Sequence, residues 1–214
     1  ILTFKLDWWW PLQEEINSQF GFSKVREKVA SKMVSTFGNF SKSPGSSFRN
    51  RDFVLVGAGL SDVPDLSQEN LIVADGALRP VLQKGQIPEW IVSDLDGYIP
   101  DIVWACENGS NLIIHAHGDN ISRVFQYHES VKPTCITTTY PSNNTQSWGG
   151  FTDGDRSVMM CLSLGTKSIR LLGFDFERVG SFSGEYSPRK KEKLVWAKKI
   201  IDECQKRTSS ISYY

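Results

Sequence analysis

The stretch IVSDLDG, residues 91–97, places Asp94 and Asp96 one residue apart at the end of an apolar run. In an extended chain, side chains at i and i+2 face the same way. The two carboxylates therefore repel each other unless something positive lies between them. Other acids occupy similar positions: Asp75 follows LIVA, Asp119 follows IIHAHG, and Asp175 follows RLLGF. Asp153 and Asp155, in GGFTDGDR, precede a helical pattern and can join them. A single Asp at such a place is an ordinary cap or turn former. A gathering of them at strand ends is self-repelling in a low dielectric and points to a bound divalent cation. Carboxylates with little sulfur suit hard ions, and Mg²⁺ takes one or two of them while drawing its remaining ligands from water and a substrate phosphate. The rim reads as a Mg²⁺ and nucleotide site.

His115 and His117 offer a competing chemistry, because His-x-His on one strand face can ligate zinc, although no third ligand stands out. His117, beside Gly118 and Asp119, is placed to contact phosphate or to order a carboxylate. His115 reads as a core residue and His128 as a surface one. No G-x-x-x-x-G-K-[ST] motif occurs, which excludes a P-loop. Instead VGAGLSD, residues 56–62, follows an apolar strand, and the amides of Gly57 and Gly59 could form an anion nest. Trp148 and Phe151 flank a Gly-Gly pair and could bound a slot for a flat ring, as could Trp8, Trp9 and Trp10, though core packing is the commoner fate of such residues. The basic run 189–193 reads as a solvated helix face from which Lys190 could reach a phosphate.

The elements that must position these groups are legible in the hydrophobic pattern. Ile16, Phe20, Val25, Val29, Met33 and Phe37 recur at helical spacing, broken near Gly21 and Ser23, which predicts two helices between Glu14 and Phe37. NFSKSPGSSFRNRD, residues 39–52, predicts a loop. FVLVGAG, LIVADG, EWIVSDLDG, NLIIHAHGD, TCITTTY and SIRLLGFDF then predict buried strands alternating with helical segments, several ending at Gly. The expected fold class is α/β: a three-layer, mostly parallel, Rossmann-like sheet with helices on both faces, preceded by an N-terminal helical extension. The division expected is 1–45 for the extension and 46–214 for the catalytic domain. A basic helix from Ser187 to Arg207 is expected to close the fold. Ligands in such sheets bind outside the carboxyl ends of the strands.

Composition limits the partners. The 214 residues carry 24 basic and 24 acidic side chains, a formal charge of zero, so nucleic acid or an anionic membrane surface is not expected as a partner. No apolar stretch nears the roughly 18 residues of a membrane span, and the start lacks a basic segment ahead of an apolar core. A cytoplasmic location is expected, and homo-oligomerisation is left open. Cys106, Cys135, Cys161 and Cys204 are widely spaced, which suits reduced, packed thiols rather than a zinc site or a disulfide framework.

VGAGLSD, VADGA, SDLDG, HAHGDN, GGFTDGDR and LLGFDF, in this order, closely resemble the archaeal type of 6-hydroxymethyl-7,8-dihydropterin diphosphokinase from about Asp52 to Asp175. The N-terminal FGFS is similar to that family too, while Leu60 departs from it where a proline is expected. ADG and SDLDG further resemble the catalytic domain of thiamin diphosphokinases, whose corresponding acids hold Mg²⁺ against ATP. By position, the resemblance assigns the metal to Asp75, Asp94, Asp96 and Asp119. It implies transfer of a diphosphate from ATP to the pterin hydroxymethyl group with release of AMP, in folate or tetrahydromethanopterin-type cofactor biosynthesis. The catalytic set it implies is Asp94, Asp96, Asp119, Asp155 and Arg156. Gly57, Ala58, Gly59, Ser61, His117, Gly118 and Asn120 are assigned to ATP, and Trp148, Phe151, Thr152, Asp153 and Asp175 to the pterin. Asp153 or Asp155 would orient the attacking hydroxyl or bind the amino-pyrimidine edge, two uses the sequence does not separate. Arg156 would neutralise developing charge or hold its acidic neighbours in place. A thiamin diphosphokinase and a non-catalytic nucleotide- or phosphate-binding domain are the alternatives.

Overall fold

A computed structural model describes residues 4–37, 43–178, 180 and 187–214. Strands β1 (Asp52–Val56), β2 (Leu71–Ala74), β3 (Trp90–Ser93), β4 (Asn111–Ala116), β5 (Cys135–Thr138), β6 (Ser168–Leu172) and β7 (Ile211–Tyr213) form one sheet. Helices α1 (Trp9–Phe20), α2 (Lys24–Val34) and the single turn α3 (Gly45–Phe48) precede it. Helices α4 (Leu78–Gln83), α5 (Ile99–Glu107), α6 (Ile121–Val131), α7 (Asp153–Ser163) and α8 (Pro188–Gln205) connect or follow the strands. All strand pairs are parallel, in the order β5-β4-β3-β2-β1-β6-β7.

That order has a consequence for function. The chain lays its strands outward from β1 to β5, then returns to place β6 on the other side of β1. The connections leaving β1 and β6 therefore diverge, and the crevice between them is where open α/β sheets bind ligands.

Short Val/Ile/Leu strands become buried on both faces because their side chains alternate. Phe53, Leu55, Ile72, Trp90, Val92 and Ile113 pack with Trp9, Ile16 and Phe20 of α1 and with residues of α7 and α8. Val54, Val56, Val73, Ile91, Leu112 and Ile114 pack with Leu78, Ile102 and Val124 of α4, α5 and α6. The three layers anticipated from the pattern are thus present.

Several local expectations change. The first helix starts earlier than Glu14, at Trp9, and ends where Gly21 adopts φ 71°. Ser23 caps α2, accepting from the Arg26 amide at 3.4 Å. The expected apolar stripe of α2 is not its buried side: Val25, Val29 and Met33 are 71%, 50% and 40% exposed, while Glu27, Ala30, Ser31 and Val34 are buried. The polar contacts of that buried side explain the inversion. Ser31 Oγ lies 3.2 Å from Thr138 Oγ1 and donates to Ser142 Oγ at 3.0 Å, and Glu27 takes a backbone amide described below. Residues 39–42 of the expected loop lie outside the described residues, and Gly45–Phe48 of the same stretch is a helical turn. The helix expected to close the fold, α8, is followed by β7, a short edge strand beside β6.

Cys135, Cys161 and Cys204 are buried and unbridged, and Cys106 is partly buried and free. Burial pushes the Cys135 and Cys204 thiols up to about 12, which keeps them neutral. Among the described residues no helix is long and apolar enough to cross a membrane.

Candidate active site

β2 and β3 are each followed directly by an acid, and adjacent parallel strands bring those ends together. Ligand oxygens of Asp75, Asp94 and Asp96 all lie within 4.8 Å of one another, the one such group among the described residues. The extended-chain reason for pairing Asp94 with Asp96 does not hold, because β3 stops at Ser93. Leu95 instead turns the chain with φ 63°. That conformation costs an L-residue roughly 1–2 kcal/mol. It is held by complete burial of the Leu95 side chain and by donation from its amide to Ser93 Oγ at 2.8 Å. Strain kept at a cleft is a mark of a functional site.

Asp75 is fixed from two sides. It accepts from Ser93 Oγ and, at 3.1 Å, from the Gly97 amide. A Cβ on Gly97 would sit 2.1 Å from Asp75 Oδ1, so only glycine fits against this carboxylate. Burial, chiefly, and the charge of Asp94 push the Asp75 carboxyl up. Asp96, reached by solvent at the cleft mouth, is pushed up to about 7 by desolvation and by Asp94 and Asp75. Asp94 is also desolvated, yet His117 and Asp96 hold it down at about 2. His117 Nε2 lies 3.9 Å from Asp94 Oδ2, beyond hydrogen-bond reach, so its influence is electrostatic. The Asp94–Asp96 pair titrates as a unit that keeps one proton into the neutral range.

This arrangement has a cost in stability. Asp96 has a folded pKa above its unfolded value, so its contribution is complete below about pH 4 and is lost as pH rises through about 7. Asp96→Asn removes that loss. In metal-free buffer the variant should melt about 2–4 °C above the parent near pH 8 and show a flatter decline from about pH 5. Scanning calorimetry across this range checks it, and identical pH profiles would refute it.

The cleft beyond the trio has a volume of about 480 Å³ and lies at the divergence of the β1 and β6 connections. Gly57, Ala58 and Gly59 line it together with the adjoining Gly173, Phe174 and Asp175. The nest expected from Gly57 and Gly59 does not form, because their amides donate to Leu172 O and Gly173 O, both at 2.8 Å. These glycines permit close strand-end packing: a Cβ on Gly59 would lie 2.7 Å from Gly173 O. Leu60 is buried on Gly173 and seals the same contact. Ser61 is exposed and outside the cleft lining. Asp175 lines the cleft and accepts from the Glu177 amide at 2.9 Å. Arg178, Lys190 and Lys193 also line it and supply cations suited to phosphate.

Asp153 and Asp155 are separated by their surroundings. Asp153 faces the cleft, and burial together with the charges of Asp94, Asp75 and Asp96 pushes its carboxyl well above the usual range. Asp155 is fully buried and caps α7, accepting from the Phe151 amide and from Thr152 N and Oγ1. Its geometry is that of a positioning residue, since its oxygens are occupied in shaping the turn. Phe151 and Thr152 line the cleft, whereas Trp148 is buried in the core cluster and does not line it. Arg156 is 6% exposed and holds Gly149 O at 3.3 Å and Phe151 O at 3.2 Å.

His117, Gly118 and Asn120 of HAHGDN do not line this cleft. Asn120 donates to Asp94 O at 2.7 Å and His115 O at 2.8 Å, and accepts from the His117 amide at 2.8 Å. It is thereby a strap that positions Asp94. The Gly118 amide donates to Glu27 at 2.9 Å, and Gly118 O accepts from Arg26 at 3.0 Å. Asp119 lies outside the trio, exposed and 3.1 Å from Arg26 Nη1. The motif therefore clamps α2 to the sheet edge. His115 is buried with Nδ1 3.1 Å from Thr137 Oγ1, and neither it nor His117 joins a three-ligand group among the described residues. His128 is half-buried and stacks on Phe37.

Of the residues not anticipated, Ser93 was legible inside SDLDG, and Lys193 within the basic run. Asn17 and Glu27 carried no signal, because their partners Tyr140 and Gly118 are more than 90 residues away in sequence, and Gln13 is ordered through Asn17.

Fold and site together define a parallel α/β protein with a carboxylate trio beside the cleft at its topological switch point. A family model described as 6-hydroxymethylpterin diphosphokinase MptE-like matches residues 27–180, and the chain belongs to this family. Three curated relatives carry the name 6-hydroxymethyl-7,8-dihydropterin pyrophosphokinase. The one from Methanothermobacter thermautotrophicus is 35% identical over 71% of this chain and 72% of its own length. Those from Methanocaldococcus jannaschii and Pyrococcus furiosus are 30% and 31% identical, over 91% and 92% of this chain and 93% of each relative.

Proposed function

We propose that the protein transfers the β,γ-diphosphate of ATP to the hydroxymethyl oxygen of 6-hydroxymethyl-7,8-dihydropterin and releases AMP. The observation that carries this reading is the Asp75, Asp94 and Asp96 trio, within 4.8 Å at the cleft mouth, in a chain of this family. The donor set fits Mg²⁺: three carboxylates without sulfur or imidazole, self-repelling when unneutralised. When bound there, Mg²⁺ supplies charge neutralisation for the phosphates.

The chain's own residues supply the rest. Arg178, Lys190 and Lys193 border the cleft and would take the triphosphate. Asp153 faces the trio and would orient the alcohol and receive its proton. The alcohol oxygen forms a bond to the β-phosphorus while the bond from that phosphorus to the α,β-bridging oxygen breaks, and AMP leaves with the bridging oxygen. Such transfers depend on alignment and charge more than on covalent help from the protein, so this equipment suffices. The product would be an activated pterin for folate or methanopterin-type cofactors, made in the cytoplasm.

The test is incubation with ATP, Mg²⁺ and the pterin alcohol, read by chromatography. AMP and the pterin diphosphate are expected in equal amounts, dependent on the alcohol and abolished by excess EDTA. ADP as product would make the protein an ordinary kinase, and turnover of thiamin in place of the pterin would reassign the acceptor.

A further inference from the structure

A second, smaller hollow of about 50 Å³ lies behind Asp94, between the N-terminal helices and the start of α7. Asp94, Phe151 and Lys193 line both it and the main cleft. A transfer between two substrates needs two pockets that share a wall where the reacting atoms meet, and this is the arrangement present. We propose that the hollow receives the 2-amino-4-oxo edge of the pterin ring, recognised by Gln13, Asn17 and Glu27, with the hydroxymethyl group directed toward Asp94. The inference rests on the function proposed above.

The walls have the chemistry such an edge requires. Glu27 is a buried carboxylate held by the Gly118 amide and, at 3.3 Å, by Thr139 Oγ1. Each of its oxygens retains a second lone pair. Gln13 and Asn17 are buried amides, ordered by donation from Gln13 Nε2 to Asn17 Oδ1 at 2.9 Å and from Asn17 Nδ2 to Tyr140 OH at 3.1 Å. Arg156 lines the hollow, and its buried Nε–H has no acceptor. A buried donor left unpaired is costly. The pyrimidine edge offers N–H groups to carboxylate and amide oxygens, and its O4 is an acceptor for that unused N–H.

Size and apolar surface fit as well. At about 50 Å³ against about 480 Å³ for the main cleft, the hollow admits an edge and not the whole bicycle. The remaining ring would lie against Phe22 and Phe151, whose centroids are 6.1 Å apart in an edge-on pair at the opening. The inference also explains why α2 buries its polar side and leaves Val25, Val29 and Met33 outside. HAHGDN clamps α2 so that Glu27 faces inward.

The test is equilibrium binding of the pterin alcohol without ATP, followed by its own fluorescence, to the parent, Asn17→Ala and Glu27→Gln. Both variants should bind the pterin at least about tenfold more weakly and keep their KM for ATP within about twofold. For the parent, an analogue lacking the 2-amino group should bind about tenfold or more weakly. That arm does not depend on a variant folding, and the variants' folding is checked by their melts. Equal pterin binding by folded variants, a weakened response to ATP instead, or an analogue bound as tightly as the alcohol would overturn the inference. Intact pterin binding without AMP formation would leave this pocket standing and reject the proposed reaction.

Discussion

Asp94→Asn should lower turnover by at least about a thousandfold while leaving the fold intact. Asp94 is the only member of the trio that borders both cavities, and it is the one kept ionised, at about 2, by His117 and Asp96. Asn conserves its shape and its bond to the Asp96 amide, which Asp94 Oδ1 accepts at 3.1 Å. It removes the charge that would hold a cation against a polyphosphate. The signature is in kcat, with a circular dichroism spectrum and melt like those of the parent. Retention of more than about a tenth of the parental rate would remove Asp94 from the catalytic set.

The second large effect is expected at a residue with no side chain. In Gly97→Ala the new methyl group would fall 2.1 Å from Asp75 Oδ1 and 2.6 Å from its Cγ. Asp75 is 6% exposed and bonded to Ser93 and to the Gly97 amide, so it has little room to retreat. Displacing a positioned group by about 1 Å costs about a hundredfold in rate. Turnover should fall by that order, with a stability loss of only about 1–3 kcal/mol from overpacking. A variant with a normal rate would show that Asp75 is not held in place by this contact.

How much of this could be read from the residues alone follows from which interactions are local. The strands were legible because a buried parallel sheet needs continuous Val/Ile/Leu runs, and the acids at their ends were legible because the strands end there. Asp75, Asp94 and Asp96 converge for that reason. The helix packing of α2 was not legible. Its apolar residues repeat at helical spacing, yet the face that docks is set by Glu27 and Ser31, whose partners Gly118 and Thr138 are distant in sequence. The same distance hid the role of HAHGDN, in which Asn120 straps Asp94 and Asp119 turns away to Arg26. Gly57 and Gly59 suggest an anion nest by sequence, but their amides meet the Leu172 and Gly173 carbonyls, which no local pattern announces. Asp153 and Asp155 differ only in which way α7 presents them. The edge strand β7 was invisible because three residues, one of them a serine, carry too little pattern.

The central claim is that the Asp75, Asp94 and Asp96 trio seats a hard cation against the phosphates of a nucleotide in the cleft beside it. Crystals soaked with Mn²⁺, as a stand-in for Mg²⁺, and a non-hydrolysable ATP analogue test it through anomalous scattering. The account expects a peak about 2.0–2.3 Å from carboxylate oxygens of this trio, with analogue phosphates on its far side. A peak elsewhere, with the trio bare and the phosphates distant from it, would contradict the account.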